Sequence, residues 1–225
     1  MINRYKPTIE DKRRLPGKSN VEALLYSIDA RSTKPATLIL VGRASHEIGD
    51  IKFHNKMREL LGEQEKISSI SQKALLTDDS DIYYTEDADE AVGIASKGSF
   101  VAELCDCYLH PLGEQTLCLV KGWESRLQNV PELSAGPMEK ITYKRLDPLD
   151  FIICKAAAGR PKDEKFLSAF IQTSEIKQES IEEKLNALRA NPKEMLGTHE
   201  QSLATICNLL QKIQNMPKDE PEIEL

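Results

Sequence analysis

Four residues in one short stretch, Lys155, Arg160, Lys162 and Asp163, combine three cations and an acid around a single turn. Lys155 borders an apolar stripe of Leu149, Ile152, Ile153, Ala156 and Ala157, whose spacing is helical. Lysine is seldom placed beside a core without a partner. It either snorkels to solvent, pairs with Asp163, or is a cation held for a phosphate. A second group lies upstream, where Asp79 and Asp81 enter a strand at i, i+2 spacing. Alternation along a strand points two such carboxylates the same way, as a divalent cation requires. The competing reading is an acidic turn, since Asp and Ser cluster in loops for their own hydrogen bonds.

Three segments carry a resemblance: Gly122-Trp123-Glu124-Ser125-Arg126-Leu127, Asp147-Pro148-Leu149-Asp150, and Lys155-Ala156-Ala157-Ala158-Gly159-Arg160-Pro161-Lys162-Asp163. With them the chain resembles an uncharacterised bacterial family of nucleotidyltransferase-like proteins, distantly similar to abortive-infection nucleotidyltransferase toxins. The resemblance runs from about Leu38 to about Leu188. It implies a nucleotidyltransferase-like sheet, Mg²⁺, a nucleoside triphosphate, and a hydroxyl acceptor on a protein, a tRNA or a small molecule.

Nucleotidyl transfer needs a turn that lets backbone approach a triphosphate, carboxylates for metal, and usually a third acid to complete a two-metal site. Gly42-Arg43-Ala44-Ser45 follows an apolar run where the glycine-small motif of the family belongs, with Arg43 in place of Ser or Gly. A guanidinium there pairs with phosphate or blocks its approach. Asp79 and Asp81 are the metal candidates, and Glu103 or Asp106 the third acid, with Glu103 preferred as a catalytic residue. Lys155 would neutralise developing charge. Gly42, Arg43, Ser45, Arg160, Lys162 and Asp163 complete the expected nucleotide-binding set. The alternative is a degenerate fold that binds a nucleotide or a protein without catalysis, which Arg43 favours.

The elements that must position these groups read as α+β. Residues 1–18 are a polar arm rich in Arg and Lys, and 19–146 form a mixed sheet with flanking helices. Residues 147–215 form a helical subdomain, and 216–225 a disordered acidic tail. Ser19 opens a capping box before the apolar face of Val21, Leu24, Leu25 and Ile28. Thr37–Val41 is a buried strand, His46 to about Glu63 a helix, Asp81–Tyr84 a short strand, and Asp87–Ala95 a helix. Phe100–Leu109 and Gln115–Val120 read as a hairpin, and Ile141–Leu146 as a strand. Asp147 is an N-cap with Pro148 at the first helical position, Gly159 ends that helix, and Pro161 starts the next. Ser180 and Thr198 open capping boxes. The stripe Leu203, Ile206, Cys207, Leu210 and Ile213 is core or a homodimer surface.

Composition narrows the class. The 225 residues carry a formal charge of −6, which argues against coating nucleic acid by bulk electrostatics. No apolar run approaches the ~20 residues that span a bilayer. Five dispersed cysteines fit reduced thiols in a cytoplasmic protein, and no histidine stands where it would complete a zinc site with Cys105 and Cys107. Trp123, the single tryptophan, reads as a structural lock rather than a stacking platform.

Overall fold

The computed structural model describes residues 20–48, 50–62, 79–84, 86–113, 117–130, 138–196 and 199–215, the side chains of Asn20, Ile51, Asp79, Ser80, Glu86, Lys162, His199, Glu200, Gln201, Ser202 and Gln214 excepted. The expected arm at 1–18 and the acidic tail at 216–225 lie outside the described residues.

Helix α1 (Asn20–Arg31) leads into β1 (Ala36–Leu40). A short helix α2 (Ala44–Glu47) and α3 (Ile51–Leu61) follow, then β2 (Asp79–Tyr84), α4 (Asp89–Ile94), α5 (Phe100–Cys105) and β3 (Tyr108–Pro111). After β4 (Leu119–Val120) a 3-10 turn at Trp123–Arg126 precedes β5 (Gln128–Asn129) and β6 (Ile141–Arg145). Helices α6 (Pro148–Ala158), α7 (Pro161–Thr173), α8 (Gln178–Ala190) and α9 (His199–Gln214) complete the chain, with β7 (Met195–Leu196) before α9. The fold is α+β. Its five-stranded sheet runs β3-β2-β1-β6-β5. β1 is parallel to β6 and antiparallel to β2, β2 is parallel to β3, and β5 is antiparallel to β6. The sheet is therefore mixed.

β1 reads as an unbroken apolar run because both faces of the sheet are covered. Leu38 and Leu40 enter one cluster with Val21, Leu24, Leu25 and Ile28 of α1 and with residues of α4 and α5. Ile39 and Val41 enter the other, with Met57 of α3 and the apolar faces of α6 to α9. The C-terminal stripe belongs to that second cluster. Ile206 is wholly buried and Leu210 nearly so, so core, not a free dimer surface, is where they sit.

Local chemistry set several boundaries as expected. The Asp147 carboxylate accepts from the Leu149 N–H at 2.9 Å, Pro148 opens α6, and Gly159 leaves it at φ 61°. A β-carbon on Gly159 would sit 2.8 Å from Thr205 Cγ2 of α9, so the turn also sets how closely α9 can approach. Elsewhere the expectations fail. The segment from His46 is two helices, because Ile48 is extended and Asp50 caps a new start by accepting from Phe53 N–H. The Ser180 box is not used as a cap; α8 already begins at Gln178.

The expected hairpin from Phe100 is also corrected. Phe100–Cys105 is helical, capped by the Ser99 side chain, which accepts from Ala102 N–H. Val101 and Cys105, one turn apart, bury against α1, and Asp106 ends the helix in the left-handed conformation. β3 pairs with β2, and β4 pairs with β7.

One buried carboxylate ties α1 to β6. Asp29 accepts from the backbone N–H groups of Glu139, Lys140 and Ile141. Burial alone would raise its pKa, but these three donors and the charge of Lys140 hold it below the ordinary 3.8. Asp29→Asn is expected to cost about 2–3 kcal/mol at neutral pH, since a charged acceptor for buried donors is lost. A depressed carboxylate contributes its stability above the unfolded pKa and loses it as pH falls through the folded one. The Tm gap between wild type and Asp29→Asn should therefore be full at pH 7 and shrink below about pH 4 in a pH series of melts.

Candidate functional site

The site begins where β1 ends. Val41 N–H donates to Asp81 O at 3.0 Å, which draws the following turn against β2. A β-carbon on Gly42 would lie 3.2 Å from Asp81 Cβ and 3.3 Å from its Oδ2. A side chain at position 42 would thus make Asp81 give way by a few tenths of an ångström. Ser45, expected to help bind phosphate, does another job: it is fully buried and its hydroxyl donates to Gly42 O at 2.7 Å, closing the turn. Arg43 projects from this turn and is held by Glu47 of α2, its Nε donating to Oε1 at 2.5 Å. Its guanidinium carbon lies 5.8 Å from the centroid of the Phe166 ring on α7.

On the sheet, Asp81 stands beside His110 of β3, its register partner, and His110 Nδ1 donates to Asp81 Oδ1 at 3.1 Å. Asp79 sits two residues earlier on β2, opposite Tyr108; its side chain lies outside the described residues. The preferred third acid is overturned. Glu103 is on α5, which packs with α1 on the opposite face of the sheet, the face that Ile82 enters. Asp81 alternates with Ile82 and so shares the face of Tyr83, which packs into the other cluster. Asp106, the alternative, is exposed at the left-handed end of α5. The neighbour that the sheet gives Asp81 is a histidine.

The helices bring the cations. Lys155 of α6 is largely buried, with Nζ 5.7 Å from the centroid of Phe151 and no ion pair within 4.0 Å among the described residues. Burial, then the charge of Arg160, lowers its pKa, and Asp81, Asp163 and Cys154 only partly oppose this. Asp163 does not pair with Lys155. It takes Arg160 instead, through Nε to Oδ2 at 2.6 Å and Nη2 to Oδ1 at 3.1 Å. That bond raises the pKa of Arg160 against its burial, and the charges of Asp163 and Asp81 add to it. Lys155 and Arg160 therefore both lie within electrostatic reach of Asp81. Lys162 is at the start of α7, its side chain outside the described residues.

Two of the segments that carry the resemblance meet as architecture. Arg126 grips Asp150 bidentately, Nε to Oδ2 at 2.7 Å and Nη2 to Oδ1 at 3.1 Å, and its Nη2 also donates to Val120 O. Lys184 Nζ approaches the same carboxylate at 3.4 Å. Trp123 is buried edge-on against Tyr83 of β2, ring centroids 5.5 Å apart. The first two motifs thus fasten the sheet to α6, and the third supplies the charged groups near Asp81.

Among the described residues no three His, Cys, Asp or Glu side chains gather as a metal group. The donor chemistry nonetheless fits a hard cation in part: Asp81 offers a half-buried carboxylate, packed on the Gly42 turn with Oδ2 on the side of the glycine. All five cysteines are free. No helix among the described residues is long and apolar enough to cross a membrane.

Sequence reasoning missed His110, Glu47 and His54. The i, i+4 spacing of Arg43 and Glu47 was a usable signal. Nothing local marked His110, because its partner is chosen by strand register. The chain matches no family model, and no curated protein or solved structure is detectably similar to it.

Proposed function

We propose that the region where the β1–β2 end of the sheet faces the α6–α7 junction binds a nucleoside triphosphate with Mg²⁺, and transfers its nucleotide to a hydroxyl acceptor on a nucleotidyltransferase-like scaffold. One observation carries this reading: Asp81 is pressed against a glycine turn within electrostatic reach of Lys155 and Arg160. An acid packed on a glycine turn, within reach of two cations, suits a metal-bound polyphosphate better than either component alone. Asp79 and Asp81 would hold the Mg²⁺, which when bound shields phosphate charge and favours ionisation of the acceptor hydroxyl. Lys155 and Arg160 stabilise the charge that develops on the departing pyrophosphate. The acceptor, a protein, tRNA or small-molecule hydroxyl, and a cytoplasmic location follow from the sequence reading.

A second reading, a non-catalytic nucleotide- or protein-binding module, is favoured by one specific feature. Glu103 is on the wrong face, and His110 occupies the place beside Asp81.

Thermal melts with Mg²⁺ and each of the four NTPs test the binding claim. A ligand held at 100 times its Kd should stabilise the fold by about 2.7 kcal/mol. Asp79→Ala with Asp81→Ala should remove that shift and change the apo protein by no more than about 1 kcal/mol, since the pairs of Asp81 are partly solvated. No shift with any NTP at millimolar concentration would sink nucleotide binding. A shift without transfer of an α-labelled phosphate to protein or RNA would leave the module.

A further inference from the structure

We infer that Arg145, at the carboxyl end of β6, anchors a second ligand site, which takes the carboxylate group of a small monoanion on the opposite face of the sheet from Asp81. The inference stands apart from the nucleotide-binding reading above and does not rest on it.

Strand register places the residue. Ile141 and Tyr143 of β6 enter the cluster that packs on α1, and Arg145, the next in that alternation, leaves the strand on the same face. Its register partner on β1 is Leu40, wholly buried in that cluster. Asp81 shares the other face with Tyr83. On its second side Arg145 is paired with Gln128 of β5, whose side-chain amide donates to Asp147 Oδ2 at 3.3 Å. The two neighbouring strands thus set an apolar side chain and an already engaged amide beside the guanidinium.

Arg145 is half-buried, its Nε is out of contact with water, and its side chain makes no hydrogen bond or ion pair among the described residues. Arg126 and Arg160 are the contrast, since each is gripped by a buried aspartate. A buried donor left without an acceptor costs more than the bond it would make, so the position calls for an acceptor from outside. Burial lowers the Arg145 pKa, and the charge of Asp50 only partly opposes this. Asp50 is exposed and occupied in capping α3, where it accepts from Phe53 N–H at 2.9 Å. The other titratable group within electrostatic reach is His46, which is buried with Nε2 unpartnered among the described residues. Burial, then the charge of Arg145, holds its pKa down at about 3, so it is neutral at pH 7 and offers no charge to Arg145. The charge count selects the ligand. One guanidinium with an acid nearby neutralises a single negative charge, and the two oxygens of a carboxylate match the paired N–H groups of its fork. A phosphate dianion would leave one charge uncompensated in a half-buried position.

Thermal melts of the full chain in sodium acetate, referred to sodium chloride at matched ionic strength, test this, with inorganic phosphate as the competing probe. Acetate at about five times its Kd should raise Tm by roughly 2–4 °C over chloride, and phosphate should raise it less. Arg145→Met should lose the acetate shift. Arg145→Lys keeps the charge but not the planar fork, and should lose most of it. Lys155→Met, on the other face, should keep the shift in full. The absence of any acetate shift in the wild type would overturn the inference, as would a shift that survives in Arg145→Met or stays whole in Arg145→Lys. A shift lost in Lys155→Met would place the anion beside Asp81 instead, and a larger shift with phosphate would refute the carboxylate. Should Arg145→Met not fold, Arg145→Lys decides. Melts with Mg–NTP leave this result untouched, so either reading can fail without the other.

Discussion

Arg126→Met is expected to destabilise the protein by about 3–5 kcal/mol, because it strands a buried carboxylate. Asp150 is 1% exposed and holds two bonds from Arg126, with Lys184 more distant at 3.4 Å. Methionine fills comparable volume but supplies no charge or donor, and Val120 O loses a partner as well. The converse change is milder. Asp150→Leu frees Arg126, which is one-third exposed and can turn to water. The double variant Arg126→Met with Asp150→Leu should therefore recover much of the loss, as replacing a whole buried pair by apolar groups often does. Denaturant midpoints for the four proteins close the cycle. A loss below about 1 kcal/mol for Arg126→Met would mean the pair is a surface contact and the fastening role is wrong.

That lock explains what the sequence made legible. Gly122–Leu127 and Asp147–Asp150 stand out as motifs because each carries one half of a bond between distant segments. Residue type alone showed that they mattered but not that they meet. β1 was readable because burial on both faces leaves the apolar run Leu38–Val41, with Gly42 as the stop. The α6–α7 boundary was readable because Asp147, Pro148, Gly159 and Pro161 each act within one turn. α5 was not. Its six residues are too few for periodicity to separate helix from strand, and packing against α1 together with the Ser99 cap decided it. The two-residue strands β4 and β7 pair across most of the helical region, a contact without any local signature.

The site divides in the same way. Lys155 and Arg160 were visible through helical spacing, but which of them takes Asp163 is a matter of reach. The N-cap position of Arg160 puts its guanidinium three residues from Asp163 along the same turn, whereas Lys155 lies on the preceding helix. His110 depended on strand register, which chain order does not disclose when β2 and β3 are parallel and joined through two helices.

Lys155→Met is expected to abolish nucleotide binding while leaving stability unchanged or raised. The two halves of that statement come from the same facts. Lys155 is mostly buried, lies over Phe151, and has no carboxylate within 4.0 Å among the described residues. Burial and the nearby Arg160 depress its pKa, so keeping it charged at neutral pH costs folding free energy. The sign is fixed by linkage. A lysine whose folded pKa is lowered destabilises the fold at pH below that value, and the penalty is relieved as pH rises through the folded pKa towards the unfolded one. Methionine removes the penalty and keeps the apolar stem packed against the ring. A protein retains such a cation where a bound anion offsets its cost, and Asp81 alone, which raises the pKa without matching the lowering causes, does not. Thermal melts of the apo proteins and calorimetry with Mg–NTP therefore test the two halves separately. Loss of stability above about 2 kcal/mol in Lys155→Met would make the lysine structural, and unchanged affinity beside a wild type that binds would end its role in binding.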